Sequence, residues 1–442
     1  MRTIRVVEGL DIPIGGAPEQ TISDGPAVSS VALLGEDYIG LSPRLRVQAG
    51  DRVKLGEALF TDRRHPEVKF VSPGSGIVSA VNRGARRALL SVAVRLDGDE
   101  AESFPYWSSA ELSVMGSGQV QELLLASGLW AAFRTRPYSK LPVPGTTPRS
   151  IFVTAVDTNP LAPRPEVVIA EQAVAFADGM TVVSRLTDGP IYLCKAPFVE
   201  LPQGRSGKVQ VAEFSGPHPS GLAGTHIHFL DPVGAGGTVW HLGYQDVIAI
   251  GKLFTSGQLW TERIVALAGP PMKRPRLVRT RLGADTSALT QGELADGPTR
   301  IISGSVLSGS LAARPRNFLG RYDNQVSALA EAGQGVADDA FSIYGAAAAR
   351  KGHARWHRFT SALHGRRTAM VPLGGFERVM PMDVLPTQLL RALLAADLET
   401  AQALGCLEMD AEDLALCSYV CPSKQDYGPA LRNALAQIEM GA

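Results

Sequence analysis

Along the first hundred residues, apolar and polar positions alternate in short runs separated by Gly, Pro and Asp. Residues 28–34, 44–47, 57–61, 68–71, 76–81 and 88–96 read as strands of a small all-β region. The pattern then changes. A helical stretch is expected near 119–126, and a strongly apolar strand over 149–156 is stopped by Asp157-Thr158-Asn159-Pro160. A helix over 166–177 and strands over 181–184 and 191–195 follow, the spacing of a doubly wound α/β unit. Short strands return at 263–268, 277–280 and 299–303. The stretch 311–375 is irregular, and its alanine run at 346–349 reads as a helix or a mobile insert. The apolar spacing predicts an amphipathic helix over 386–404 and two more over 410–417 and 429–440, with Asp410 as N-cap and Asp413 in the first turn.

Composition narrows this picture. With 442 residues, 45 % of them hydrophobic and 19 % charged, the chain has room for several packed domains. The 43 basic and 43 acidic residues cancel, so no global field favours nucleic acid. A membrane span needs roughly 20 consecutive apolar residues. The oiliest stretch, 247–254, is broken by Lys252, and the N-terminus carries charges early, so neither a span nor a signal peptide is expected. Four cysteines, at 194, 406, 417 and 421, are too few for a disulfide scaffold.

Three motifs carry the functional reading. Residues 47–60 (VQAGDRVKLGEALF) and 71–81 (VSPGSGIVSAV) resemble the two halves of a biotinyl/lipoyl-type barrel-sandwich. In such carriers a lysine sits eight residues before the proline of the second half. That position is His65 here, and Lys69 is poorly placed, so a structural domain rather than a prosthetic-group carrier is expected.

Residues 127–140 (SGLWAAFRTRPYSK) resemble the loop that opens the flavin-binding domain of the complex I flavoprotein and of the Rnf complex C subunit. There a glycine run lets backbone N–H groups approach a phosphate. Here Gly128 is followed by Leu129, Trp130, Ala131 and Ala132, so the loop reads as a vacated flavin site. Two readings of Trp130 and Phe133 stand: core aromatics, or walls of a residual quinone pocket rimmed by Arg134, Arg136, Tyr138 and Lys140.

The third motif, LCSYVCP at 416–422, is the tail of the ferredoxin-type run C-x₂-C-x₂-C-x₃-C-P. The two missing ligand positions are Leu414 and Ala411, which cannot bind iron. Cys417 and Cys421 are therefore a vestigial cluster pair, half of a metal or cluster shared with another subunit, or a redox-active thiol pair. His226 and His228 form an H-x-H pair. On a strand both would point the same way, as metal ligands do. No third ligand stands at suitable spacing, with His218 and His241 only loosely near, so a structural or hydrogen-bonding role is expected.

Barrel, α/β middle, a segment resembling a ubiquitin-like SLBB β-grasp module (RIVALAG at 263–269 to RIISGSVLSG at 300–309) and the half-signature occur in one order. That order resembles the complex I flavoprotein and Rnf C subunits with both cofactor sites vacated. The phrases THIHFL (225–230), WHLGYQDVIAIGKLF (240–254), ALAGP (266–270), VMPMD (379–383) and DLALCSYVCP (413–422) resemble the NqrA family, the A subunits of sodium-pumping NADH:quinone reductases.

The resemblance implies a multidomain α+β protein: an N-terminal barrel-sandwich region over 1–104, a Rossmann-like α/β domain over 105–257, a β-grasp module over 258–315 and a mainly helical C-terminal domain over 316–442. It implies a peripheral subunit on the cytoplasmic face of the bacterial inner membrane, with membrane and soluble partner subunits, B and C among them. The complex uses NADH, flavins, iron–sulfur centres and ubiquinone and handles Na⁺. This chain would hold no tightly bound cofactor or metal, would have no catalytic residue of its own, and would contribute to assembly and to ubiquinone binding. The competing expectations are a stand-alone flavin and iron–sulfur NADH dehydrogenase of the Rnf C type, or an acyl- or biotin-carrier module.

Overall fold

The computed structural model describes residues 2–234, 236–331, 359–362 and 368–441. The alanine run at 346–349 lies outside them.

The strand pattern of the first hundred residues builds two facing sheets. One has the order Ser30–Leu34, Leu89–Leu96, Gly76–Arg83 and Arg52–Val53; the other joins Pro43–Leu45, Ala58–Asp62 and Lys69–Val71. Alternate residues turn inward, and Phe60 and Phe70 stack at 4.7 Å between their ring centres beneath Tyr38. This is a barrel-sandwich hybrid. Two strands ahead of it leave for other sheets: Arg2–Arg5 and Glu19–Asp24.

The second unit is a six-stranded sheet in the order Arg2–Arg5, Val209–Ser215, Ile191–Lys195, Ile151–Ala155, Val239–Gly243 and Arg134–Arg136. The first five strands run parallel and the last antiparallel. Central strands buried on both faces are almost wholly apolar, as IFVTA over Ile151–Ala155 is. Chain order reverses direction between Ile151–Ala155 and Val239–Gly243, so the crevice of this α/β fold opens beyond their carboxyl ends.

Helices Ala173–Val183 and Tyr244–Ser256 cover one face. The expected helix over 166–177 is two helices, Pro165–Glu171 and Ala173–Val183, broken at Gln172. The expected strand over 181–184 is instead the last turn of the second. Its β-branched residues suggest a strand, but Gly179 lets the helix lie directly on its neighbour. A Cβ at Gly179 would stand 2.0 Å from the Val247 carbonyl oxygen, and one at Gly251 would stand 1.8 Å from that of Ala175. Backbone packs on backbone there, and tertiary contact overrides propensity.

The third sheet has the order Ser310–Leu311, Thr299–Ser303, Gln325–Ala330, Glu262–Ala268, Arg276–Arg281 and Glu19–Asp24. This is the SLBB-type module. The C-terminal part is helical. The single helix expected over 386–404 is two, Pro386–Ala395 and Leu398–Ala403. Ala396 adopts a left-handed conformation at φ 56°, and Asp397 caps the second helix by accepting from Thr400 N–H. Asp410 is an N-cap, forming a capping box with Asp413 ahead of Ala415–Val420 and Tyr427–Glu439.

Candidate functional site

Helix Ser117–Ser127 ends at Gly128, whose φ of 77° is the left-handed cap that glycine accepts most easily. A Cβ there would come within 2.9 Å of Val71, so the loop is seated directly on the barrel. The next four residues form one tight turn, Leu129–Ala132, with no exposed side chain. The Trp130 indole N–H donates to the Pro142 carbonyl at 2.8 Å. Trp130, Phe133 and Trp240 pack as a triad, with ring centres 5.4 to 5.9 Å apart. From the β-grasp side, the Tyr322 hydroxyl donates to the Ala131 carbonyl at 3.0 Å. A flavin does not fit: indole and phenyl rings fill the space beside the loop, and its backbone is tied to neighbouring segments.

The candidate quinone residues do not share one cavity. Trp130 and Phe133 have no exposed surface. Arg134 stacks on Tyr322, its guanidinium carbon 4.5 Å from the ring centre. Arg136 is fully buried. Tyr138 and Lys140 lie farther out, half-buried, and the Lys140 ammonium pairs with Glu439 of the last helix. A groove of about 480 Å³ lies elsewhere, against Arg2, Tyr192, Lys195, Gln203, Gln210 and Leu230.

Arg136 organises the crevice. Its Nη1 donates to Ser139 Oγ at 2.6 Å and meets His241 Nε2 at 3.0 Å. An arginine only donates, so that histidine nitrogen accepts and the proton sits on Nδ1. Burial, with Arg134 and Arg136 nearby, holds His241 well below its ordinary pKa and keeps it neutral. Three carboxylates from the turn Ala411–Leu414 and its cap face the guanidinium: Asp410 at 3.7 Å, Glu412 at 3.6 Å and Asp413 at 3.8 Å. These are ion-pair distances, longer than hydrogen bonds. Asp413 also presses on the backbone of Gly224, where a Cβ would stand 2.3 Å from its oxygen. Burial pushes Asp413 up to about 7, against the pull of Arg136, and pushes Asp157 at the mouth of the crevice up to about 6.

The loop over 127–140 and the segment that begins at Asp410 thus pack on each other, joined by charge. Sequence reading marked Arg134 and Arg136 as rim groups and Asp410 as a cap, noted His241 only beside the H-x-H pair, and missed Ser139, Glu412 and Tyr322.

The cluster segment does not fit an iron–sulfur centre. Leu414 is buried, and Ala411 offers only a backbone N–H, which Asp410 accepts at 2.6 Å. Cys417 and Cys421 are buried among apolar side chains, with Cys421 Sγ 3.3 Å from the Tyr427 hydroxyl. Burial pushes the Cys417 thiol far up and the Cys406 thiol up to about 11, away from the thiolate a metal needs. Among the described residues no group of three His, Cys, Asp or Glu side chains is placed to hold a metal ion.

His226 and His228 lie on helix Ala223–Leu230 rather than on a strand, so residues two apart point to different sides. His226 Nε2 lies 3.0 Å from the Ser220 carbonyl, and burial lowers its pKa to about 3. His228 Nδ1 contacts Glu408 at 2.7 Å and its Nε2 accepts from Asp383 N–H at 2.9 Å, pinning the C-terminal part to the α/β unit. No helix among the described residues is long and apolar enough to cross a membrane.

Comparison with known proteins agrees with this architecture. Three family models match: the NqrA N-terminal barrel-sandwich hybrid domain over 4–97, the NqrA second alpha/beta domain over 115–259 and the NQRA C-terminal domain over 264–314. The A subunit of the Na(+)-translocating NADH-quinone reductase from Yersinia pseudotuberculosis is 53 % identical over 99 % of both chains, and its counterpart from Pseudomonas aeruginosa is 54 % identical over the same shares. Among solved structures, an NAD+-reducing [NiFe]-hydrogenase in the air-oxidized state aligns over 75 % of this chain and 60 % of its own at 13 % identity. Its TM-score of 0.39 is too low to build on. With full-length identity above one half and three domain models in register with its sheets, the chain belongs to the NqrA family, the A subunits of Na(+)-translocating NADH-quinone reductases.

Proposed function

We propose that this chain is the peripheral, cofactor-free A subunit of a sodium-pumping NADH:quinone reductase, and that its role is to assemble with the other subunits and contribute to ubiquinone binding. The observation that carries the reading is the filled loop. Respiratory electron transfer is the work of cofactors, and where the resembling loops have a glycine run this loop carries the buried indole of Trp130, tied to the Pro142 carbonyl. NADH oxidation and the path of Na⁺ then belong to partner subunits, with B and C as the expected neighbours at the cytoplasmic face of the inner membrane.

Any ubiquinone contact is placed on the outer part of the loop. Trp130 and Phe133 offer no surface, whereas Arg134, Tyr138 and Lys140 are only partly covered. The basic groups there could donate to quinone carbonyl oxygens.

Two measurements test this. The purified chain is expected to be colourless and inert toward NADH; a stoichiometric chromophore reducible by NADH would overturn the reading in favour of the stand-alone dehydrogenase. In the assembled complex, a photoreactive quinone is expected to label the peptide spanning 134–140. Labelling confined to other subunits would remove the quinone role while leaving the assembly role intact.

A further inference from the structure

The long hairpin of the barrel, Gly76–Arg83 with Leu89–Leu96, closes through the five residues 84–88. Arg86 and Arg87 stand side by side in left-handed conformation, at φ 51° and 61°. Glycine or asparagine accepts that geometry at far lower cost. The chain uses glycine at most of its other positive-φ positions, so two consecutive arginines here run against its own habit. Both are exposed, as is Arg83.

No Asp or Glu occurs from Ser79 to Leu96. Among the described residues none of the three arginines has a carboxylate partner within ion-pair distance, and Arg83 Nη1 donates only to the Arg87 carbonyl. In a chain of zero net charge, this tip is a local concentration of uncompensated cations.

We infer that the arginine tip formed by Arg83, Arg86 and Arg87 is a contact point for anionic lipid headgroups at a bilayer surface. The shape of the tip favours lipid over an acidic protein. A five-residue convex loop has no concavity to match a folded partner and no exposed large apolar side chain to anchor one. A plane of mobile phosphates needs neither, and each arginine can take a phosphate through its planar fork. A nucleic acid would call for a basic track longer than one hairpin tip. The contact adds to partner-mediated attachment, and it is testable on the chain alone, independently of whether the proposed complex forms.

The test is co-sedimentation of the full chain with vesicles of phosphatidylcholine, alone or mixed with phosphatidylglycerol, at low and high salt. Binding is expected only with phosphatidylglycerol and should weaken with salt. Replacing Arg83, Arg86 and Arg87 with Glu should reduce it roughly a hundredfold or more, and replacement with Lys should largely retain it. The variant Arg86→Gly with Arg87→Gly removes charge while relieving the backbone, so it should melt no lower than the parent yet bind vesicles weakly. The control Arg44→Glu, Arg63→Glu, Arg64→Glu makes the same charge change on another hairpin and should leave binding near the parent level. Parent-like binding by the glycine variant, equal loss in the control, or binding of polyglutamate or DNA without binding of vesicles would each overturn the inference.

Discussion

Arg136 has no exposed surface and faces three carboxylates at 3.6 to 3.8 Å. A buried cation holds such a cluster together because taking either sign from water alone is costly. The acids still outnumber the guanidinium, and the structure answers by favouring a proton on Asp413, which burial raises to about 7 from 3.8. The folded state then binds more protons than the unfolded chain between pH ~4 and ~7, so the contribution of this group to stability falls as pH rises through that window. Asp413→Asn keeps an oxygen to accept the Asp410 N–H, which Asp413 accepts at 2.8 Å, and removes the titration. Urea midpoints at pH 5 and pH 8 should show the parent losing more stability across this interval than the variant. An equal loss in both would assign the pH dependence to other groups, with Asp157 the next to replace.

At the scale of elements, the crossing of Ala173–Val183 with Tyr244–Ser256 is fixed by Gly179 and Gly251. The obstruction facing each is backbone rather than a flexible side-chain end, so a methyl group must push the helices apart. Gly251→Ala should cost about 1–3 kcal/mol, the usual range for overpacking, read as a lower denaturant midpoint. A midpoint at or above that of the parent would show that the helices can slide.

The same crossing shows what sequence reading can and cannot reach. The barrel strands were legible because short apolar runs over 28–96 are punctuated by Gly, Pro and Asp turns, and Asp410 was legible as a cap because capping is local. The helical end at Thr181–Val183 was not, since its β-branched residues suggest a strand and only contact with a distant helix decides otherwise. That the loop over 129–133 is packed with side chains could be read from Trp130 alone. The charged crevice could not, because Arg136, His241 and Asp413 meet only after three separate segments have packed. The hydrogen-bonding role expected of the H-x-H pair agrees with the contacts of His226 and His228, but the helix under it was not legible: at eight residues it is too short for apolar periodicity to declare itself.

Across the whole molecule, the amino-terminal residues act as stitching. Arg2–Arg5 forms an edge of the α/β sheet beside Val209–Ser215, and Glu19–Asp24 forms an edge of the β-grasp sheet beside Arg276–Arg281. Between them Gly16 closes on Gly269, its carbonyl accepting the Gly269 N–H at 2.9 Å. Deleting residues 2–5 should therefore destabilise the α/β unit rather than the barrel. Hydrogen exchange in the deletion variant should quicken in 209–215 and leave 89–96 near the parent rate; acceleration confined to the barrel would contradict this.

The placement of those two strands has a consequence for how the chain matures. They are made ahead of the barrel, yet their partners are made only after the barrel and most of the α/β unit have emerged. Contacts of such long sequence separation form late and slowly. A nascent chain would carry an already closed barrel beside two unpaired strands, and the sheet edge along Val209–Ser215 would stay open until Arg2–Arg5 returned to it. During synthesis this edge is the place for a chaperone to shield, and the place where two unfinished copies could exchange strands.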